Sequence, residues 1–275
     1  MKIKTMKKIP FYKMQGSGND FILIDDRKGI LKGKSLKGIA LTVCDRHYSV
    51  GADGLIVIVP SRKADFKWRF FNADGSEAEM CGNGSRCAAR FAFLKKIAKK
   101  TMAFETRAGI IRAEVKAETV KVQLTPASSV RQNISIPFEG GARTGHFINT
   151  GVPHVVYLSG DLATEDVEGV GRRTRYHDLF KPAGTNVNFI QVQGKHKLSI
   201  RTYERGVEGE TLACGTGSVA AALVAASLRM VASPVQVMTR SKEKLTVTFD
   251  GDAEGFGAIY LEGEAKVICE GVLYA

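Results

Sequence analysis

Apolar positions along the chain follow two periods. Helical spacing is confined to three segments: Leu36, Ile39, Ala40 and Val43 within 35–45; Ala88, Phe91, Leu94 and Ala98; and Ala221, Val224, Ala225 and Leu228. Elsewhere short apolar or alternating runs predict strands over 21–24, 55–59, 66–71, 103–107, 110–115, 120–124, 187–192, 198–203, 235–238, 245–249, 258–261 and 266–269. Asp250-Gly251 reads as a hairpin turn. Many strands around few helices predict an α+β fold in which curved sheets wrap central helices.

The pattern also repeats. Residues 81–89, CGNGSRCAA, match 214–222, CGTGSVAAA, at six of nine positions, and Cys214 follows Cys81 by 133 residues. The same offset carries Gly18 onto Gly151, each followed within a few residues by an apolar run. The chain is therefore expected to hold two pseudo-symmetric domains, each a curved, mostly antiparallel sheet or barrel around one helix. The expected boundaries are 1–126 and 127–263, with a strand over 264–275 returning to the first half. Each Cys-Gly-x-Gly-Ser run falls just before an alanine-rich helix, at its N-terminus.

Composition narrows the class. At 275 residues, 44% hydrophobic and 25% charged, the chain has globular proportions. Its net charge of +12 raises the question of nucleic acid, but the basic residues are dispersed over 2–8, 32–37, 95–100 and 172–175, with no nucleic-acid-binding motif around them. A solvated surface, compatible with small anionic substrates and with no nucleic-acid partner, is the expectation. The longest apolar run, 219–228, is too short to span a bilayer, and the basic start of the chain lacks the apolar stretch of a secretory signal, so a cytoplasmic protein without a membrane partner is expected. Gly16-Ser17-Gly18 lacks the third glycine of a dinucleotide fingerprint and the Gly-Lys-Ser/Thr of a P-loop. The five cysteines show neither Cys-x-x-Cys nor zinc spacing, so no metal is expected. Cys44, Cys87 and Cys269 are expected to be core thiols.

Cys81 and Cys214 carry the chemistry. A helix N-terminus favours anions and stabilises a thiolate, and flanking glycines let backbone N–H groups approach a ligand. Inverting a carbon centre through a planar carbanion needs a base on one face and an acid on the other, which two equivalent thiols in opposite protonation states provide in either direction. The scheme demands no cofactor.

Four stretches then resemble the diaminopimelate epimerases: 11–21 (FYKMQGSGNDF), 51–54 (GADG), 71–84 (FNADGSEAEMCGNG) and 203–217 (YERGVEGETLACGTG). The resemblance spans almost the whole chain. It implies a cofactor-independent homodimer that interconverts LL- and meso-diaminopimelate for lysine and peptidoglycan precursors, Cys214 removing the proton from the LL isomer and Cys81 returning one. It implies substrate contacts from Asn19, Asn72, Gly82, Asn83, Asn186, Glu204, Arg205, Gly215 and Thr216, and a thiol-tuning role for His154 and Glu204. Two positions depart from the family pattern: Val152 stands where many members have Asn before Pro-His, and Cys269 where some carry a tyrosine linked to dimer formation. The alternative is a proline or hydroxyproline epimerase of the same fold, a group that typically has His at the position of Asn83.

Overall fold

A computed structural model of the protein describes residues 7–252 and 255–274. The basic stretch before Lys7 lies outside these. The first elements are β1 (Lys8–Gly16), β2 (Asn19–Asp25), α1 (Leu36–Val43), β3 (Gly54–Val59), β4 (Phe66–Asn72), β5 (Glu77–Ala78), α2 (Gly82–Leu94), β6 (Thr101–Thr106), β7 (Gly109–Lys116) and β8 (Thr119–Gln123). There follow β9 (Ser128–Phe138), β10 (Gly141–Asn149), β11 (Pro153–Leu158), α3 (Val167–Arg175), β12 (Asn186–Gly194), β13 (Lys197–Glu204), β14 (Gly209–Thr211), α4 (Gly215–Ser227), β15 (Val235–Met238), β16 (Lys244–Asp252), β17 (Gly255–Glu264) and β18 (Lys266–Tyr274). The protein is α+β. The chain divides into two compact units, one running to Val122 and resuming at Gly263, the other Gln123–Glu262.

In the first unit β1 pairs antiparallel with β18 and β2, β2 parallel with β3, β3 antiparallel with β4, β4 parallel with β6, and β6–β7–β8 antiparallel. The parallel pair β2 and β3 is buried on both faces, which is why Phe21–Ile24 and Leu55–Ile58 read as unbroken apolar runs. Ile22, Ile24, Leu55, Val57 and Phe71 pack with Ala40 and Val43 of α1. The opposite face, with Ile56 and Trp68, meets the first turn of α2.

The second unit repeats this order. β9–β10–β11 are antiparallel, β11 is parallel to β12, β12 antiparallel to β13, β13 parallel to β15, and β15–β16–β17 antiparallel. Val155, Tyr157, Phe189 and Tyr203 form one face with Val167 of α3. The other carries α4, buried from Gly217 to Ser227, as befits a helix apolar all round.

The repeat extends to the helix ends. Both central helices stop in the same hydrogen-bonded cap, Ile97 N–H to Ala92 O and Met230 N–H to Ala225 O, with Lys96 and Arg229 at φ of 55° and 60°. This left-handed residue ends α2 at Leu94, so Ala98 lies outside the helix predicted to contain it.

Four expectations need correction or addition. Cys269 is exposed on β18, not a core thiol: it lies opposite Lys13 at a register shift between β18 and β1, on a strand with no fully buried residue from Lys266 to Tyr274. Asp250-Gly251 is not the hairpin turn but a register shift inside β16, where Gly251 has φ of 85° and pairing continues to Asp252 and Gly255. Helix α3 was missed because two glycines and three arginines dilute its apolar face, yet it has an Asp166 cap on Gly169 N–H at 2.8 Å, Glu168 in its first turn and arginines in its last. Its Gly171 lies so close to β13 that a Cβ would stand 2.5 Å from Tyr203 Cβ. Strands β1, β9, β10 and β11 were also missed. No helix among the described residues is long and apolar enough to cross a membrane.

Candidate active site

Each repeated cysteine is the N-cap of its helix. Cys81 is extended (φ −148°, ψ 120°) and its sulfur accepts from Gly84 N–H at 3.4 Å; Cys214 (φ −119°, ψ 116°) accepts from Gly217 N–H at 3.4 Å. Sulfur is a weak acceptor as a thiol and a strong one as a thiolate, so this bond and the positive helix end act together on the charged form. The first-turn amides of Gly82 and Asn83, and of Gly215 and Thr216, have no acceptor within their helices. They are a ready site for a carboxylate.

Around Cys81, a two-residue turn with Ser17 and Gly18 both at positive φ (59° and 79°) brings the chain back at Asn19. Asn19 Oδ1 accepts from Cys81 Sγ at 3.7 Å, while its Nδ2 donates to Asp53 Oδ2 at 2.5 Å. Asp53 and Asp20 are locked by reciprocal backbone bonds, Asp20 N–H to Asp53 Oδ2 at 3.1 Å and Asp53 N–H to Asp20 Oδ1 at 3.0 Å. Arg46 bridges both carboxylates at 2.8 and 2.7 Å, and Lys13 reaches Asp20 at 3.2 Å. Burial opposes ionisation of Asp20, but the bonds from Arg46, Lys13 and the Asp53 amide outweigh it and hold its carboxyl below the usual range. Asn72, at the end of β4, donates to Ser76 Oγ at 3.0 Å, and the next residue, Ala73, bonds the Asp53 carbonyl at 3.0 Å. Asn83 Oδ1 accepts from the buried Arg86 at 3.1 Å, which also donates to Ser17 Oγ at 2.6 Å.

The second unit brings Asn186 to Arg205: Asn186 Oδ1 accepts from the Arg205 amide at 2.9 Å and its Nδ2 donates to Pro153 O at 3.0 Å. The Arg205 guanidinium donates to Ala183 O at 3.1 Å. Glu204 is largely buried and accepts from Thr211 Oγ1 at 2.9 Å; burial raises its pKa, the hydroxyl offsetting this only in part. Thr216 Oγ1 lies 3.5 Å from Cys214 Sγ. His154 is fully buried, and burial, with the charge of Arg205 second, pushes its pKa down to about 3. It is neutral near pH 7.

Sequence reasoning passed over four residues here. Asn188 Nδ2 donates to Val155 O at 3.0 Å and to His154 Nδ1 at 3.1 Å, and its Oδ1 accepts from Thr202 Oγ1 at 3.0 Å. With Nδ1 accepting, the His154 proton sits on Nε2, a buried atom without a hydrogen-bond partner. Asn188 stands in a strand otherwise rich in Val, Ile and Phe, and Thr202 takes the inward place that follows Leu198 and Ile200 in β13; that polar interruption was the available signal. Asp53 lay inside a quoted motif without a role, and Arg86 is a charge on a buried helical face.

The family model for diaminopimelate epimerase matches residues 11–130 and 146–268. The chain is 52% identical over 273 residues to a diaminopimelate epimerase of Hydrogenobaculum sp. (strain Y04AAS1), covering 95% of this chain and 97% of that one. It is 48% identical to that of Aquifex aeolicus (strain VF5), at 96% and 97% coverage. Among solved structures, a Bacillus anthracis phenazine biosynthesis protein of the PhzF family superposes with TM-score 0.74 at 18% identity, covering 98% of this chain and all of the other. A hydroxyproline epimerase from Agrobacterium vitis gives 0.69 at 14%, covering 100% and 94%. At such identities these two likenesses show the fold alone. With its matched family model and near-full-length relatives, the chain belongs to the diaminopimelate epimerase family of isomerases.

Proposed function

We propose that this enzyme interconverts LL- and meso-diaminopimelate by a two-thiol exchange: one cysteine takes the α-proton from one face of the reacting carbon and the other gives its own S–H proton to the opposite face. The observation that carries this reading is the identical placement of two thiols as N-caps, each with a glycine N–H at 3.4 Å from sulfur. In the LL-to-meso direction Cys214 as thiolate removes the proton and Cys81 as thiol returns one; the roles exchange in reverse. The amides of Gly82, Asn83, Gly215 and Thr216 bind the carboxylate beside that carbon and stabilise the charge that develops on it. At the unreacting end Arg205 pairs with the carboxylate, while Glu204 and the amides of Asn19, Asn72 and Asn186 take the ammonium and the remaining donors and acceptors. His154 and Glu204 set the electrostatics around the thiols. The scheme uses no cofactor.

Further parts of the reading are a homodimer, supported by the exposed apolar row Ile268, Val272 and Tyr274 on β18, and a cytoplasmic location, where thiols stay reduced. Product feeding lysine and peptidoglycan precursors follows from the substrate. Proton NMR of LL-diaminopimelate in heavy water, with reduced enzyme and no added cofactor, tests the assignment. Loss of the α-proton signal with appearance of the meso isomer is expected, and both are lost in Cys81→Ala and Cys214→Ala. Turnover surviving either substitution, or preferential turnover of proline, overturns it.

A further inference from the structure

The two sulfurs share a scaffold and differ in their neighbours. Sheet register defines which positions correspond. Ile56 and Asn188 touch Gly84 and Gly217 from equivalent strands. Their parallel partners are Leu23 and Val156. Counting back from these along β2 and β11, Asn19 corresponds to Val152. Asn19 presents its carbonyl oxygen 3.7 Å from Cys81 Sγ, whereas a valine side chain carries no hydrogen-bonding atom. Beside Cys214 stands instead the Thr216 hydroxyl at 3.5 Å, whose counterpart near Cys81, Asn83, is engaged by Arg86 at 3.1 Å.

The Asn19 amide is held in one orientation. Its NH2 group faces Asp53 Oδ2, which can only accept, and Asp53 is pinned by the Asp20 backbone N–H and by Arg46 at 2.7 Å. The charged groups of this cluster are Asp20, Asp53, Arg46 and Lys13. A carbonyl oxygen held against sulfur accepts from S–H and offers nothing to S⁻. We propose that Asp53 is a positioning residue that, through Asn19, keeps Cys81 in its thiol form in the free enzyme. Val152 cannot offer Cys214 such an amide, and the hydroxyl beside that sulfur can donate as well as accept, so the two cysteines enter turnover with different neighbours. The catalytic consequence rests on the two-thiol reading above; the arrangement itself is tested without turnover.

The experiment is alkylation of the unliganded enzyme by iodoacetamide at about pH 7, with rates at Cys81 and Cys214 read separately by peptide mass spectrometry. In Asp53→Asn one of the two carboxylate oxygens becomes an NH2; with the remaining oxygen on Arg46 that NH2 faces Asn19, which then turns and offers its own NH2 to the sulfur, whereas Asn19→Ala removes the acceptor whichever way residue 53 sits. Replacing an acceptor by a donor raises the thiolate fraction of Cys81 by roughly tenfold. The accompanying loss of nucleophilicity trims this to about threefold in rate. The Cys81:Cys214 rate ratio therefore rises about threefold in Asp53→Asn and rises in Asn19→Ala, and adding Asp53→Asn to Asn19→Ala changes nothing further. An unchanged ratio, an equal rise at both cysteines, or an Asp53→Asn effect that persists without Asn19 overturns the proposal. If Asp53→Asn loses its native circular dichroism, the ratio in Asn19→Ala decides. Wild-type turnover of LL-diaminopimelate, measured in parallel, separates failure of this proposal from failure of the functional reading.

Discussion

Gly84 and Gly217 occupy the same position in the two central helices, and an alanine at each should have very different effects. At Gly84 a Cβ would stand 3.2 Å from Ile56 Cδ1 and 3.4 Å from Trp68, contacts that a few tenths of an ångström of movement relieve. The strain roughly cancels the gain of about 1 kcal/mol in helix propensity, leaving a net change of about zero to 1 kcal/mol. At Gly217 the Cβ would stand 2.4 Å from Asn188 Oδ1. That oxygen cannot step aside, because Asn188 is fully buried and holds Thr202, His154 and the Val155 carbonyl at once. Displacing it strands at least two buried polar groups at about 1–3 kcal/mol each. Net of propensity, Gly217→Ala should lose about 1–5 kcal/mol, which for a chain of this length lowers the thermal midpoint by about 2–10 °C. Urea and thermal unfolding of both variants check this. Equal midpoints for the two, or a neutral Gly217→Ala, would refute the claim that the Asn188 network is rigid.

Three more outcomes follow from the same structure. His154 is neutral in the folded state with its pKa at about 3, against an ordinary 6.5, so the unfolded chain binds the extra proton between those values and stability falls with falling pH in that window. His154→Gln should flatten that limb of the urea-unfolding pH profile by about 1.4 kcal/mol per pH unit, and an unaltered profile would count against a buried neutral imidazole. Glu204 has the opposite sign: burial raises its pKa, so the folded state holds the proton longer and stability falls as pH rises through the window above its ordinary value. Glu204→Gln should be the more stable protein near neutral pH and lose that advantage in acid, as urea midpoints at the two pH values would show. Finally, Cys269 is exposed, whereas Cys44 is buried and pushed up to about 12, mainly by burial and then by Asp20 and Asp53. A thiol reagent should label Cys269 in the native protein and reach Cys44 only on unfolding, and early labelling of Cys44 would refute its burial.

The apolar periods located α1, α2, α4 and most strands because those elements bury a periodic face or, for β2 and β3, both faces. Strand β9 escaped because it is largely exposed, and β10 because its first half is polar and mostly exposed while its buried part includes Gly145 and His146 where an apolar alternation would be expected. The cysteines and the glycines beside them were legible for a local reason: a helix start is written in adjacent residues. Asn188 and Asp53 were not, because their roles depend on parallel pairing of β11 with β12 and β2 with β3, which joins residues 34 apart in sequence.

The layer beneath the helix starts is where the two halves part company. In the first unit Phe21, Ile56 and Phe70 lie there, with Phe21 and Phe70 edge to face at 5.8 Å. The positions that correspond by register in the second are His154, Asn188 and Thr202. An aromatic layer offers no dipole to a nearby charge, whereas the amide, hydroxyl and imidazole of the second layer are fixed dipoles in a dry interior, where they act strongly. A two-base reaction needs one cysteine charged and the other neutral at the start, and a faithful duplication would make them equal. Substitution in this buried layer makes the surroundings of the two helix starts unequal while leaving both starts, and the N–H bond each gives to sulfur, unaltered. Exchanging the layers should exchange the preference: Thr202→Phe with Asn188→Ile should slow alkylation of Cys214 relative to Cys81. A preserved rate order in a folded variant would place the asymmetry elsewhere, in the residues that touch sulfur directly.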